Sequence, residues 1–306
     1  MLISIGEILV DIFDDGNNKT ALPGGAPFNV ACNALLYTKQ VGFVGAVGND
    51  EYGHFLLNFA KKKLPTALIE VKDDRDTTQA IVALDNGERS FKFVRDRGAD
   101  YLLDIKQLGK YDLSMISIVH IGSLMLSYPE GREFFYQACQ YIKNKSQCLI
   151  SFDVNYRDDI FENEETAKKI FIDAIKYADI VKFTEEELEL LSNQKDVLEG
   201  LKTLLNPRQV AVVTLGKDGS IFYSKDKYIK VSTYPLTPVD TTGAGDAFYS
   251  YFLYSLDKGL DMSDDKAIIN VLKRANVAGG LATQKKGAID IVPSNKEIDE
   301  FLLTHQ

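Results

Sequence analysis

Cys148-Leu149-Ile150-Ser151-Phe152 is an almost wholly apolar run of five. Behind it Ala167, Ile170, Phe171, Ala174 and Ala178 share one face at helical spacing, and Ile180-Val181-Lys182-Phe183 then forms a second short run. Strands apolar throughout and separated by a helix imply a mostly parallel sheet covered on both faces. The same rhythm surrounds this unit. Leu2–Ile5, Val41–Val47, Ile116–Ile121 and Val210–Thr214 read as strands. Tyr52, Phe55, Leu56, Phe59 and Ala60 line one helical face, and Phe134, Phe135, Ala138, Tyr141 and Ile142 another. The expected class is α/β, with ligands bound beyond the carboxyl ends of the strands.

Two segments depart from this pattern. Gln79–Arg95 alternates about Asp85-Asn86-Gly87-Glu88, and Asn-Gly between strands signals a hairpin. Val10–Leu22 holds the strand-like Ile12-Phe13 and the polar turn Asp14-Asp15-Gly16-Asn17-Asn18. Together they read either as a small lid sheet or as edge hairpins. A further alternating pair, Ser220–Tyr223 and Tyr228–Val231, reads as an edge hairpin.

The 306 residues allow a large core, and 45% hydrophobic and 26% charged residues is ordinary globular composition. A net charge of −9 argues against nucleic acid as a general partner, though not against a nucleotide. Cys32, Cys139 and Cys148 lack zinc-like spacing and read as buried free thiols. The opening Met1-Leu2-Ile3-Ser4-Ile5 reads as a strand without a basic leader, and no apolar run reaches spanning length. The expectation is a cytoplasmic protein with no membrane partner.

Chemistry concentrates in Asp240-Thr241-Thr242-Gly243-Ala244-Gly245-Asp246. Phe248, Tyr251, Phe252 and Ser255 behind it recur at helical spacing, so Gly243, Ala244 and Gly245 present bare amides where a helix begins. Such a terminus favours anionic oxygens such as phosphate. Asp246 adds a carboxylate, and a base beside an anion cradle suggests phosphoryl transfer to a hydroxyl. A glycine turn with Asp246 as a capping residue is the plainer alternative. Gly24-Gly25-Ala26-Pro27-Phe28-Asn29 opens another helix, with Pro27 suited to its first turn. Asn29 offers both donor and acceptor, as a polyhydroxylated ligand needs, although spacing alone equally describes a structural turn.

Both strings resemble signatures of the ribokinase (PfkB) family of carbohydrate kinases, the Gly24–Asn29 string in a form common among fructokinases. Gly6-Glu7-Ile8-Leu9-Val10-Asp11, Gly48–Gly53, Gly87–Arg95 with Gly98-Ala99-Asp100, His120–Ser123 and Asp153-Val154-Asn155-Tyr156-Arg157 extend the likeness along nearly the whole chain. The resemblance implies one ribokinase-like three-layer domain over residues 1–306, with a discontinuous β lid at about 10–22 and 77–97. It implies an ATP-dependent sugar kinase, most similar to fructokinases, with Asp246 as catalytic base and the Gly243–Gly245 amides as anion hole. Asp11, Gly24, Gly25, Asn29 and Arg95 would hold the sugar, and Arg157 would clamp substrate or phosphate oxygens. Lys182 and Glu187 resemble a Lys-x-Asn-x-x-Glu segment in which Thr184 replaces Asn; there Glu187 would order the water shell of Mg²⁺. An acidic first helical turn explains Glu187 equally. Thr214, Gly216 and Gly219 resemble a nucleotide-binding turn, and Asn276 and Gly287 the adenosine-side wall. Asp240 and Thr242 match positions that hold a monovalent cation such as K⁺ in relatives. A homodimer through the lid is a further expectation. Ribose, 2-keto-3-deoxygluconate or a nucleoside are alternative acceptors, and a catalytically silent sugar-sensing relative is the remote alternative. His54 and His305 read as surface residues and His120 as structurally satisfied.

Overall fold

The computed structural model describes residues 1–14, 19–85 and 88–305. Residues 15–18 and 86–87, on which both predicted turn tips fall, lie outside them. The chain begins with β1 (Leu2–Ile5), β2 (Leu9–Asp14), β3 (Lys19–Gly24), α1 (Ala26–Ala34), β4 (Val41–Gly48), α2 (Glu51–Lys63) and β5 (Ala67–Lys72). It continues through β6 (Gln79–Asp85), β7 (Glu88–Val94), the short α3 (Ile105–Leu108), β8 (Ile118–Ile121), α4 (Pro129–Lys145), β9 (Leu149–Asp153) and α5 (Glu164–Ile175). Then come β10 (Ile180–Thr184), α6 (Glu185–Ser192), α7 (Val197–Leu204), β11 (Val210–Thr214), β12 (Ser220–Ser224) and β13 (Lys227–Val231). Three helices close the chain: α8 (Ala244–Asp257), α9 (Asp265–Ala282) and α10 (Asn295–Thr304).

A nine-stranded sheet runs β13-β12-β11-β10-β9-β8-β1-β4-β5. Its seven strands from β11 to β5 are parallel, and β12 and β13 return antiparallel. The parallel strands are apolar because both their faces are covered. Val181 and Phe183 of β10 enter one core cluster with Phe135, Phe152 and Phe171. Ile180 enters the other, with Phe28, Tyr249 and Phe252. Phe152 and Phe135 meet edge-on at 5.5 Å, and truncating either to Ala costs about 3–5 kcal/mol. Edge strand β5 is additional to the sequence reading. Glu70 and Lys72 break up its apolar pattern, as suits a sheet edge.

The two irregular segments pair with each other. A second sheet runs β3-β2-β6-β7, with β2 and β6 parallel and hairpin partners on either side. Leu9, Ala80 and Leu124 form a small apolar cluster, with Phe93 against it, where this sheet meets the core. Its strands therefore stand beside the carboxyl ends of the large sheet.

Candidate active site

A cavity of about 450 Å³ opens between the two sheets. Asp11, Gly25, Asn29, Arg157, Lys182, Glu187, Thr242, Gly243, Gly245 and Asp246 line it, converging from five separate stretches of chain.

Helix α8 builds one wall. Its N-cap is Gly243, at φ 72°, a left-handed conformation that strains any residue with a Cβ. A Cβ there would also stand 2.6 Å from that of Ala288. Helix geometry leaves the amides of Gly245 and Asp246 without an intrahelical acceptor. Ala244, between them and the cap, donates to Thr241 O at 3.3 Å. Asp246 lies in the first turn of α8, whose N-cap makes no side-chain capping hydrogen bond. Its Oδ2 instead accepts from Asn29 Nδ2 at 2.8 Å, joining α8 to α1. Burial pushes the Asp246 carboxyl up to about 6, with Asp153 raising it further; Asn29, Lys182 and Arg157 oppose the rise. That value suits a general base near neutral pH.

Positive charge comes from the large sheet. Lys182 in β10 and Asp153 in β9 are register partners, and Lys182 Nζ reaches both Asp153 oxygens at 2.9 Å. Both are buried. Burial works against the ammonium, but Asp153 and Glu187 more than offset it and hold Lys182 charged. Its Nζ would stand 3.6 Å from a Cβ on Gly245, so a cation sits against the amide cradle. Arg157 follows β9 after Asn155, itself at φ 37°, and its Nη1 donates to Tyr156 O at 2.9 Å.

On the opposite wall, Asp11 lies over Gly24. A Cβ on Gly24 would collide with this carboxylate, 2.7 Å from its Cγ, so only glycine lets the side chain lie there. Burial and then Asp246 raise Asp11 to about 7, against Arg157. Asn29 Oδ1 is buried and without a hydrogen-bond partner. Glu7, which the sequence reading places only in a strand motif, also lines the cavity.

Further expected site residues have hydrogen-bond partners of their own. Arg95 is buried outside the cavity lining. Its Nε and Nη2 donate to Asp100 Oδ2 at 3.0 and 2.6 Å, and Nη1 to Ser127 Oγ. Its guanidinium lies 5.3 and 5.4 Å from the rings of Tyr101 and Tyr128. Asp100 also accepts from Thr78 Oγ1. With its fork thus engaged, Arg95 holds Asp100 and Ser127 and does not line this cavity, where the sequence reading expects a sugar contact. Glu187 completes a capping box with Thr184: Oε2 accepts Thr184 N–H at 2.8 Å and Oε1 accepts Tyr156 N–H at 2.9 Å.

Thr214, at the end of β11, donates to Phe183 O at 3.3 Å. Gly216 and Gly219 flank the turn into β12. Gly219 packs on Val231 O, the same carbonyl that Asn276 Nδ2 reaches at 3.2 Å. Beside it lies a second hollow of about 360 Å³ lined by Lys230–Tyr234, Ile269 and Lys273. Asp240 is buried and accepts the amides of Thr242 at 2.8 Å and Gly287 at 3.1 Å, tying that loop to the α8 terminus. Among the described residues no group of three or more His, Cys, Asp or Glu could hold a metal ion. His120, buried, meets Ser151 Oγ at 3.1 Å, and His54 and His305 are exposed.

A buried cation, a helix N-terminus and a buried carboxyl group thus face a polar cavity at the carboxyl edge of a parallel sheet. Comparison with known proteins agrees with this geometry. Probable fructokinase-2 of Arabidopsis thaliana is 32% identical over 99% of this chain and 95% of its own length. Fructokinase of Vibrio alginolyticus is 30% identical over 97% of both chains. Among solved structures, fructokinase from Vibrio cholerae O395 in its fructose-, ADP- and calcium-bound form superposes with TM-score 0.89, at 31% identity over 98% of each chain. Fructokinase from Xylella fastidiosa with bound ATP gives TM-score 0.90 at 27% identity, over 99% of this chain and 98% of that one. Residues 3–295 match the profile of the pfkB family carbohydrate kinases, and the chain belongs to that family.

Proposed function

We propose that the protein phosphorylates fructose from ATP, giving fructose 6-phosphate in the cytoplasm. The observation that carries the mechanism is the Asp246 carboxyl, held by Asn29 beside the α8 terminus and near Lys182. The substrate reading leans on full-length likeness to fructokinases, one of them solved with fructose and ADP.

Asp11 and Asn29 hold the sugar, whose hydroxymethyl oxygen lies against Asp246. Asp246 takes the hydroxyl proton as that oxygen attacks the γ-phosphorus. The amides of Gly243 and Gly245, with Lys182 and Arg157, stabilise charge on the transferred group, and that of Ala244 can join them only by leaving Thr241 O. Phosphoryl transfer is mainly positioning and electrostatics, and this residue set supplies both. Glu187 and Asp153 are committed to backbone amides and to Lys182, so the site fits Mg²⁺ carried on the nucleotide rather than held by a carboxylate cluster. Bound with the nucleotide, Mg²⁺ would neutralise part of its phosphate charge. The buried Asp240 carboxylate, with Thr242, suits a monovalent cation that would add positive charge behind the cradle. The adenosine lies toward Gly216, Gly219, Asn276 and Gly287. The β3-β2-β6-β7 sheet acts as a lid that excludes water and offers a dimer face; sedimentation tests the dimer.

The decisive assay is ADP release with ATP and Mg²⁺ across fructose, glucose, mannose, ribose and 2-keto-3-deoxygluconate, with Asp246→Asn as control. Turnover of fructose, lost by about 10²–10⁴-fold in the variant, is expected. Turnover confined to another acceptor refutes the substrate, and an active Asp246→Asn refutes the base.

A further inference from the structure

Tyr249 is a buried phenol that the mechanism above leaves unused. It lies in α8 three residues after Asp246, so the two side chains share one face of the helix. Its hydroxyl meets Ser151 Oγ in β9 at 2.6 Å, and His120 Nδ1 in β8 meets the same Oγ at 3.1 Å. All three residues are 0% exposed, and His120 Nε2 has no hydrogen-bond partner. Phe28 and Phe252 belong to the same apolar cluster as Tyr249. A phenylalanine at 249 would fill this space without taking a hydroxyl out of water, so packing alone gives no reason for a phenol here.

Its placement does. Ser151 and Asp153 are two residues apart in β9 and therefore point to one face of the sheet. Across the ladder Ser151 pairs with Ile180 and Asp153 with Lys182. The Tyr249–Ser151 bond thus ties α8, with Asp246 in its first turn, to the strand pair that holds the buried Asp153–Lys182 ion pair. The Tyr249 ring also lies 5.9 Å from Lys182 Nζ, at the outer reach of a cation–π contact. Asp153 takes at most two of the three ammonium N–H groups, which leaves one for the cavity that Lys182 lines. The far end of α8 is pinned separately, where Asp257 accepts from Ser117 Oγ. Burial lowers His120 to about 4, so it stays neutral and puts no second cation beneath Lys182. Burial raises the Tyr249 hydroxyl, which therefore keeps its proton.

We propose that Tyr249 is a positioning residue: through Ser151 it fixes the start of α8 against β9 and β10, so that the Lys182 ammonium stands at the helix N-terminus where the transferred group lies. Resting on the kinase reading above, this role is one of placement, because Tyr249 itself does not line the cavity. An error of about 1 Å in such placement can cost about 10²-fold in rate, far more than the loss of one hydrogen bond costs in stability.

The test compares wild type, Tyr249→Phe, Ser151→Ala and the two combined, on whichever acceptor the wild type turns over. Sugar KM, ATP KM, kcat and melting temperature are measured for each. Tyr249→Phe keeps the ring and should lower kcat about tenfold with each KM within about threefold, because the charge that Lys182 meets develops in the transition state. Ser151→Ala should match it, and the combined variant should lose no more than either alone, since both break the same bond. In a Lys182→Met background, adding Tyr249→Phe should change kcat by less than about twofold, because the group it places is gone. A lowered melting temperature with wild-type kcat is the mark of a merely structural tie and overturns the proposal. A raised sugar KM at unchanged kcat overturns it too, as does a further tenfold loss in the Lys182→Met background. If Ser151→Ala or Lys182→Met does not fold, the kcat of Tyr249→Phe decides alone. Turnover of a sugar other than fructose refutes the substrate reading alone, and the variants are then judged on that sugar. No turnover of any acceptor by wild type refutes both.

Discussion

Removing the amide of Asn29 tests whether Asp246 is a tuned base. Asn29 Nδ2 donates to Asp246 Oδ2 at 2.8 Å, and this bond favours the ionised form. A hydrogen bond to a charged group is worth about 1.5–3 kcal/mol, and about 1.4 kcal/mol corresponds to one pH unit. Asn29→Ala should therefore lift the Asp246 carboxyl from about 6 by roughly one to two units. At pH 7 wild type is then about nine-tenths ionised, and the variant between about one-half and one-tenth. The assay is kcat at saturating sugar and ATP between pH 5 and 9.5. The expected result is an acid limb displaced upward, with about a two- to tenfold loss at pH 7 that recovers by pH 9.5. Saturation separates this from any lost sugar contact of Asn29, which would appear in KM. A loss equal at every pH, or an unmoved limb, would refute the reasoning.

Gly243→Ala should lower kcat about 10²-fold and stability by about 1–3 kcal/mol, from its left-handed φ and the approach to Ala288. Gly259→Ala is the control in urea melts and turnover: its φ is 87° but a Cβ there meets open space, so it should cost only the backbone strain and leave kcat unchanged. Lys182→Met strands Asp153 in the interior and should destabilise by about 3–5 kcal/mol in denaturant titration. Adding Asp153→Leu should recover part of that loss without restoring activity; no recovery would show that the ion pair is not the source.

Segments whose pattern reflects burial on both faces were legible from sequence. In β9, α5 and β10, apolar spacing alone defines the elements, because parallel strands have no solvent face to interrupt them. Edge strand β5 was not, since Glu70 and Lys72 mask its alternation. Within the site, the glycine-rich strings name backbone geometry directly, and Asp246, Asn29, Asp11 and Lys182 meet at one cavity. Pairings between distant segments leave no local trace. Asp153 and Lys182 become partners only through strand register. Arg95 shows the converse limit, because a motif position does not reveal that Asp100, five residues on, will occupy its fork. Glu7, an acidic residue inside an apolar opening run, is buried in a slot that exists only because Gly122 and Pro27 arrive beside it.

The anchor at Asp100 has an architectural consequence. Thr78 immediately precedes β6 and Arg95 immediately follows β7, and both bind this carboxylate. Nearby, Asp76 and Ala99 are zipped by Arg97 O and Asp76 O at 2.9 and 3.0 Å. The two ends of the hairpin are therefore spliced together at its root, whatever its length. Extending a flexible loop to twice its length costs only about 0.6 kcal/mol of closure entropy, and here the closure is made in the core, away from the tip. The root of the β6–β7 hairpin is thus fixed to the body that carries the cavity, in addition to the pairing of β6 with β2.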